Sequence, residues 1–437
     1  MKKAVNRRAF LKRSMAVTAG AIGFPTIIRS SALGKAGTVA PSNRLTVAQI
    51  GCGSMGTGDL QAFLGMGREI QVVAVCDPDD LHSADNKRRV DERNGNSDCQ
   101  TYRDYRDLLD HHDLDIVSQA TPDHWHASIS VACVRKGIDM YGQKPLARTI
   151  KEGRAICDAV ERYGVIWQTG SWQRSVSNFH HAAQLVRNGR VGKVNYVEVG
   201  LPDGNQRGPD VQLLSVPDTF DYDLWLGSAP WRPYQSLGRQ GVHWDWRWIM
   251  DYSGGQLTDW AGHHIDIAHW GLGLDYTGPV EIEGTGQYPQ DGIYDVPYAY
   301  SFICTYQNGV KIRVANNAQL PHGQGTCWYG DQGWIHVSRS GLSASDPKLL
   351  REKIGPDEIQ LYKSEDHFRN FIDCVKSRKT TITPAEIAHR SISVGLLGEI
   401  AMLTGRKLKW NPDKETFVGD DDANRYLMRS YRGAWLI

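Results

Sequence analysis

Leu45-Thr-Val-Ala-Gln-Ile50 is a short apolar run that stops at a glycine turn, Gly51-Cys-Gly53-Ser-Met-Gly56. Beyond it the pattern turns helical, through Asp59 to Gly65. A second apolar run, Gln71-Val-Val-Ala-Val-Cys76, ends at Asp77. The alternation continues with helices from about Ser83 to Glu92 and from Tyr102 to Leu109. The strand Asp115–Ala120 follows, then the turn Thr121-Pro122-Asp123 and a helix from about His124 to Lys136. The short strand Ile138–Tyr141 leads into Gly142-Gln143-Lys144-Pro145. Strands alternating with helices at these spacings predict an α/β unit with a doubly wound parallel sheet. Such sheets bind ligands beyond the carboxyl ends of their strands, where Asp77, the Thr121–His126 turn and Gln143-Lys144-Pro145 all fall.

From Gly164 the pattern changes. Val165-Ile-Trp-Gln-Thr169 opens a stretch of alternating strands, with further runs at Val194–Gly200, Val280–Gly286, Tyr298–Tyr306 and Val310–Asn316. Asn308-Gly309 marks a hairpin turn. Helical patterns return near Glu365–Lys376 and Pro384–Leu403. The expected layout is a leader and linker over residues 1–40, a nucleotide-binding domain over 41–165, and an α+β domain over 166–437 with a large, mostly antiparallel open sheet.

Composition narrows the classes. Fifty basic and forty-nine acidic residues nearly cancel, which argues against a nucleic-acid partner or a membrane-surface protein. Fourteen tryptophans are the compositional excess. Their flat faces suit sugar rings, and they also serve as oligomer anchors. None of the eight cysteines lies in a Cys-x-x-Cys pair, so no zinc site is expected, and most should be buried thiols.

The glycine turn carries the first chemistry. A G-x-G-x-x-G between a strand and a helix, with an acid at the next strand's end, is a dinucleotide fingerprint and makes the first unit a Rossmann domain. Gly51 gives the tight turn, Gly53 lets backbone approach a pyrophosphate, and Gly56 permits close helix–strand packing. Ser54 and Met55 complete the turn, and the helix N-terminus favours phosphate. Asp77 suits the adenosine ribose hydroxyls and repels a 2′-phosphate, so NAD is expected over NADP.

With Thr121-Pro-x-x-x-His126, Lys144-Pro145 and Asp259-Trp-Ala-Gly-His263, the chain resembles the glucose–fructose oxidoreductase/inositol dehydrogenase (Gfo/Idh/MocA) family of sugar-active, nicotinamide-dependent enzymes. The resemblance implies that Lys144 touches the nicotinamide ribose and the reacting hydroxyl. It also implies that His263 is the acid/base and that Asp259 helps bind substrate. One departure stands out: the family usually has Glu before the lysine, and here it is Gln143. Around this core, Thr121, Pro122, His124, His126 and Gln143 are expected at the cofactor. Trp172 and Arg174 are expected at cofactor or substrate, and Trp246, Arg247 and Tyr252 at substrate. A helix over Leu257–Trp270 puts Asp259, His263 and Asp266 on one face. His264 is a further candidate for proton transfer. Because His263 and His264 point about 100° apart on a helix, they do not easily share one small ion; no metal ligand is assigned, and convergence of another His/Asp set in space stays open.

The N-terminus, Asn6-Arg-Arg-Ala-Phe-Leu-Lys12 followed by a weakly apolar run to Ile28, resembles a twin-arginine export signal. That implies folding in the cytoplasm, passage through the twin-arginine translocon, and a periplasmic location with no membrane span in the mature protein. A homo-oligomer is expected from the resemblance. Outside the inner membrane there is no nicotinamide pool, so a carried NAD must be restored within each turnover. Two outcomes remain open. A glycoside is cleaved by transient oxidation at carbon 3, elimination, water addition and re-reduction; or a second sugar or carbonyl is reduced in a net oxidoreductase cycle.

Overall fold

The computed structural model describes residues 43–435 except 68, 209, 236–241 and 434. The export-signal segment lies outside them. Six strands form the first sheet: β1 (Leu45–Ile50), β2 (Ile70–Cys76), β3 (Gln100–Tyr102), β4 (Ile116–Gln119), β5 (Asp139–Gly142) and β6 (Trp167–Thr169). They lie in the order β3-β2-β1-β4-β5-β6, every pair parallel. The intervening helices are α1 (Ser54–Gly65), α2 (Asp80–Asn94), α3 (Tyr105–His111), α4 (Asp123–Arg135) and α5 (Ile150–Tyr163). All four residues of β4 and β5 are buried, as strands covered on both faces require. Strand order reverses between β1 and β4, which opens a crevice above their carboxyl ends.

Local chemistry sets the element ends. Asp79 caps α2 by accepting from the Leu81 amide, and Gly95 ends that helix at φ 69°. Asp104 caps α3 through the Arg106 amide. The helix expected from Tyr102 therefore starts at Tyr105, and Tyr102 instead closes β3. Helix α5 has a full capping box between Thr149 and Glu152. The expected boundary at 165/166 falls just ahead of β6, whose Met140↔Trp167 pairing makes it the sixth parallel strand. Residues 165–169 thus complete the first sheet and do not begin the second.

The second sheet has nine strands in the order β13-β12-β11-β7-β10-β9-β8-β14-β15. Their ranges are β7 (Val194–Leu201), β8 (Glu281–Gln287), β9 (Ala299–Thr305), β10 (Lys311–Asn316), β11 (Gly325–Gly330), β12 (Gly333–Ser338), β13 (Gly341–Ala344), β14 (Leu408–Asn411) and β15 (Thr416–Phe417). The pairings are antiparallel except for β7 with β10. Along β9 buried and half-buried residues alternate, so one face packs and the other is open. Helix α6 (Ser177–Arg187) lies against β12, α7 (Gly255–Leu272) against β7 and β11, and α9 (Ala385–Thr404) against β8 and β9. Helix α8 (His367–Ser377) instead sends Phe371, Ile372 and Val375 into the first domain's core beside Leu60 and Phe63. The eight cysteines are free and buried. Among the described residues no helix is long and apolar enough to cross a membrane.

Helix α7 positions the site. Gly262 faces the Lys144 Cβ, at 3.4 Å from where its own Cβ would stand, which places the helix in van der Waals contact with the β5 turn. Ser171 Oγ donates to the Gly262 carbonyl at 2.7 Å, tying the chain after β6 to the same point. Arg148 and Glu399 add a buried two-pronged ion pair at 2.8 and 3.1 Å.

Candidate active site

The crevice is a cleft of about 1050 Å³, running from Asp77 and the glycine turn to Lys144, Trp246, Arg247 and Asp259. Its floor fits a dinucleotide. Gly51 has φ 86°, and a Cβ there would meet the Ala120 carbonyl oxygen at 2.4 Å. A Cβ on Gly56 would reach the Gly51 oxygen at 1.9 Å, whereas one on Gly53 meets nothing within 4 Å. Helix α1 starts at Ser54 with no side-chain cap, leaving its first amides for an anion. Asp77 Oδ2 accepts from the Cys52 amide at 2.7 Å and Oδ1 from the Asp79 amide at 2.9 Å, which fixes the carboxylate at the lip of the turn. Thr121 and Pro122 line the opposite wall.

At the other end Lys144 Nζ donates to Asp259 Oδ1 at 2.5 Å, joining β5 to α7. Asp259 is held below the ordinary carboxylate range: burial pushes its pKa up, but the Lys144 charge and then Arg247 outweigh it. His263, one turn further along α7, packs edge-on to Trp172 and Trp260, with ring centres at 6.2 and 5.6 Å. Burial first, then the charges of Lys144 and Arg339, drive its pKa well below the usual histidine value. Its ring is thus neutral at physiological pH and able to accept a proton.

Gln143 explains the departure at the lysine motif. Its Nε2 donates to both oxygens of Asp59, at 2.9 and 3.1 Å, and its Oε1 accepts from the Lys144 amide at 3.3 Å. A carboxyl group from α1 thus stands one layer behind position 143. Burial raises Asp59 to about 7, against the opposing effects of the Gln143 hydrogen bond and the Lys144 charge.

The remaining sequence candidates divide. Trp246 and Arg247 line the cleft, with the Arg247 guanidinium 4.4 Å from the Trp246 ring centre. Trp172, 38 % exposed, packs beside His263, and neither side chain is part of the cleft lining. His126 spans the carbonyl oxygens of Pro145 and Thr121 at 2.6 and 2.9 Å, tying together the two turns that frame the cleft. His124 faces the Trp225 carbonyl at 3.1 Å and is fully buried, which pushes it down to about 3. Tyr252 is buried between Trp225 and His124. Neither reaches the cleft; both pack the wall behind it.

With His124 and Tyr252, the expectations for Arg174 and His264 are corrected. Arg174 is 2 % exposed, its guanidinium held by Asp266 at 2.7 and 2.8 Å and by Asp275 at 2.8 Å. It therefore packs the domain instead of meeting substrate or cofactor. Asp266 consequently faces Arg174, and not the cleft. His264 lies in the core, stacked on Trp260 at 5.5 Å, with neither ring nitrogen partnered among the described residues and its pKa pushed by burial down to about 3. The helical rotation that separates it from His263 carries it away from the site. Asp59 and Arg339, which sequence reasoning missed, belong to the site's surroundings. Asp59 sits three residues past Gly56 in the glycine-rich helix start, which was the available signal.

Residues 45–171 match the family model described as "Oxidoreductase family, NAD-binding Rossmann fold". Residues 206–437 match its companion, "Oxidoreductase family, C-terminal alpha/beta domain". The chain belongs to the Gfo/Idh/MocA oxidoreductase family. Its first domain is an NAD-binding domain, and NAD is its cofactor. Among curated relatives, a levoglucosan dehydrogenase of Pseudarthrobacter phenanthrenivorans is 29% identical over 239 residues, covering 52% of this chain and 51% of that protein. An alpha-N-acetylgalactosaminidase of Shewanella oneidensis is 30% identical over 175 residues, covering 36% of this chain and 37% of that protein. The chain thus spans about half, or less, of the length of these relatives. Among solved structures, the WlbA dehydrogenase from Bordetella pertussis, in complex with NADH and UDP-GlcNAcA, superposes with a TM-score of 0.61. It shares 15% identity, and the match covers 84% of this chain and 99% of that one. That likeness is one of fold.

Proposed function

We propose that this Gfo/Idh/MocA protein cleaves glycosidic bonds with a tightly bound, internally restored NAD. The observation that carries the reading is the pairing of Lys144 and Asp259 at the end of the NAD cleft, with neutral His263 one helical turn away. Bound NAD supplies a reversible hydride acceptor. His263 takes the proton of the sugar hydroxyl at carbon 3, as a neutral imidazole can. The Lys144 ammonium, steered by Asp259, hydrogen-bonds to that oxygen and stabilises its developing negative charge. Once carbon 3 is a ketone, the proton on carbon 2 is acidic, and its removal expels the group on carbon 1. With His264 turned into the core, Asp259 is the second group able to move a proton here. Water then adds at carbon 1, carbon 2 regains a proton, and carbon 3 returns to an alcohol. The sum is hydrolysis with no net redox change.

The Shewanella oneidensis relative supports this reading by its name. The levoglucosan dehydrogenase, matched over a longer stretch, favours a second reading: net oxidation of a sugar, with another carbonyl compound reduced to restore the cofactor. Export of the folded, NAD-loaded protein fits either reading, because both close the redox cycle without a soluble nicotinamide pool. Nitrophenyl glycosides distinguish the two. Phenol release over many turnovers without accumulating NADH supports cleavage. An intact glycoside, with keto-sugar formed only when a reducible acceptor is added, supports net redox.

A further inference from the structure

Arg339 stands in the turn between β12 and β13. Ser338 Oγ and Ser340 Oγ hydrogen-bond at 2.8 Å, and Asn178 Nδ2 donates to the Ser338 carbonyl at 2.8 Å, so the turn is fixed to α6. The guanidinium lies 4.5 Å from the ring centre of Trp172 and 4.5 Å from that of Trp260, the same two indoles that flank His263. It is close enough to Asp259 and His263 to shift both. Stacking of this kind orients a guanidinium and leaves its in-plane N–H donors free. Yet among the described residues no carboxylate pairs with it. The undescribed positions hold no Asp or Glu.

Arg247 repeats the arrangement on the cleft side. Its guanidinium lies 4.6 and 4.4 Å from the ring centres of Trp244 and Trp246, and its one hydrogen bond among the described residues is to the Trp244 carbonyl at 3.1 Å. Lys144, Arg247 and Arg339 thus all act on one carboxylate, Asp259. Asp123, the other carboxylate at this end of the cleft, is turned to Ser253, whose Oγ donates to it at 2.6 Å. Asp59 is screened from the opening by Gln143. The fully buried arginines are matched, Arg148 by Glu399 and Arg174 by Asp266, whereas half-buried Arg247 and exposed Arg339 carry no ion pair among the described residues. Two unmatched guanidinium groups beside the reacting centre are a site waiting for an anion.

We propose that Arg339, with Arg247, recognises an oxyanion substituent on the sugar, such as a uronic acid carboxylate or a sulfate ester. The proposal rests on the sugar-active reading above and names its substrate class. Two oxygens of either group can take two parallel N–H bonds from one guanidinium, while the sugar ring lies against the exposed edge of Trp172. A neutral sugar leaves both cations facing the opening without a counter-charge.

The test is calorimetric titration of the NAD-loaded protein at pH 7.5. The probes are glucuronate and galacturonate, the 6-sulfates of glucose and galactose, and the neutral parents. At least one anionic sugar is expected to bind ten-fold or more tightly than its parent, and the series that does so identifies the anion. Arg339→Gln should bring that ratio toward one, with Arg339→Lys retaining part of it. Arg339 sits in a surface turn, and melting curves of each variant verify folding; Arg247→Gln provides a second, independent reduction. Neutral sugars binding as tightly as acidic ones, or a preference that survives both Gln variants, would overturn the proposal alone. A protein that binds no sugar of any series would overturn it together with the reading on which it rests.

Discussion

Asp59→Asn should flatten the pH dependence of stability. In the folded protein Asp59 is raised to about 7 by burial, whereas in the unfolded chain it titrates near its ordinary 3.8. Between those values the folded state holds a proton that the unfolded state has released. The group's contribution is therefore fully present below the unfolded pKa and is lost as pH rises through the folded one. Integrated from pH 5 to pH 8, the loss is about 2.5 kcal/mol, at roughly 1.4 kcal/mol for each unit of the interval below the shifted pKa. Asparagine does not titrate, and its amide can still meet Gln143. Relative to the unmodified protein the variant should therefore gain about 2.5 kcal/mol on going from pH 5 to pH 8. Urea unfolding of both proteins across that range, at one NAD concentration, measures the gap while other titrations cancel. Two parallel profiles would refute the assignment of a buried, proton-holding carboxyl behind Gln143.

Three further outcomes are expected. Arg174→Met should destabilise the fold by about 3–5 kcal/mol, because Asp266 is left buried and unpaired, yet leave NAD affinity unchanged; a large loss of NAD binding in a folded variant would return Arg174 to the cleft. Arg339→Gln removes a positive charge that depresses His263, so the acidic limb of the kcat/KM profile should move to higher pH, and an unmoved limb would dissociate that limb from His263. Arg7→Lys with Arg8→Lys should hold the protein in the cytoplasm, as fractionation would reveal, and normal amounts outside the inner membrane would reject the twin-arginine reading.

The first domain was legible because each of its signals is local. A buried parallel strand needs a continuous apolar run, and the glycine turn must be Gly51 and Gly56 for steric reasons that one sequence displays. Lys144, Asp259 and His263 were legible through motif spacing, though the ion pair that joins Lys144 to Asp259 spans 115 positions. The capping box Thr149–Glu152 that starts α5 is also local, yet that helix is not among those read from the sequence pattern. Strands β11 to β13 hide among glycines in short runs, so the turn that presents Arg339 left no periodic trace. The placement of Arg174 was illegible for a different reason. An arginine near a cleft and an arginine clamped by two aspartates from α7 and the turn after it look alike until the partners are located. Gln143 shows the same limit, since the carboxyl group behind it comes from Asp59, 84 positions earlier.

Cleavage through a carbon 3 ketone requires that the carbon 2 proton leave and be replaced from solvent. Turnover of a nitrophenyl glycoside in heavy water, with mass and NMR analysis of the released sugar, reads this directly. One deuterium at carbon 2 in each released sugar, with carbon 3 still carrying its original hydrogen, is the expected result. Its appearance should be suppressed with Lys144→Ala and His263→Ala by roughly 10²–10⁴-fold in rate. Released sugar with no solvent deuterium at carbon 2 would contradict elimination and, with it, the proposed roles of Lys144, Asp259 and His263.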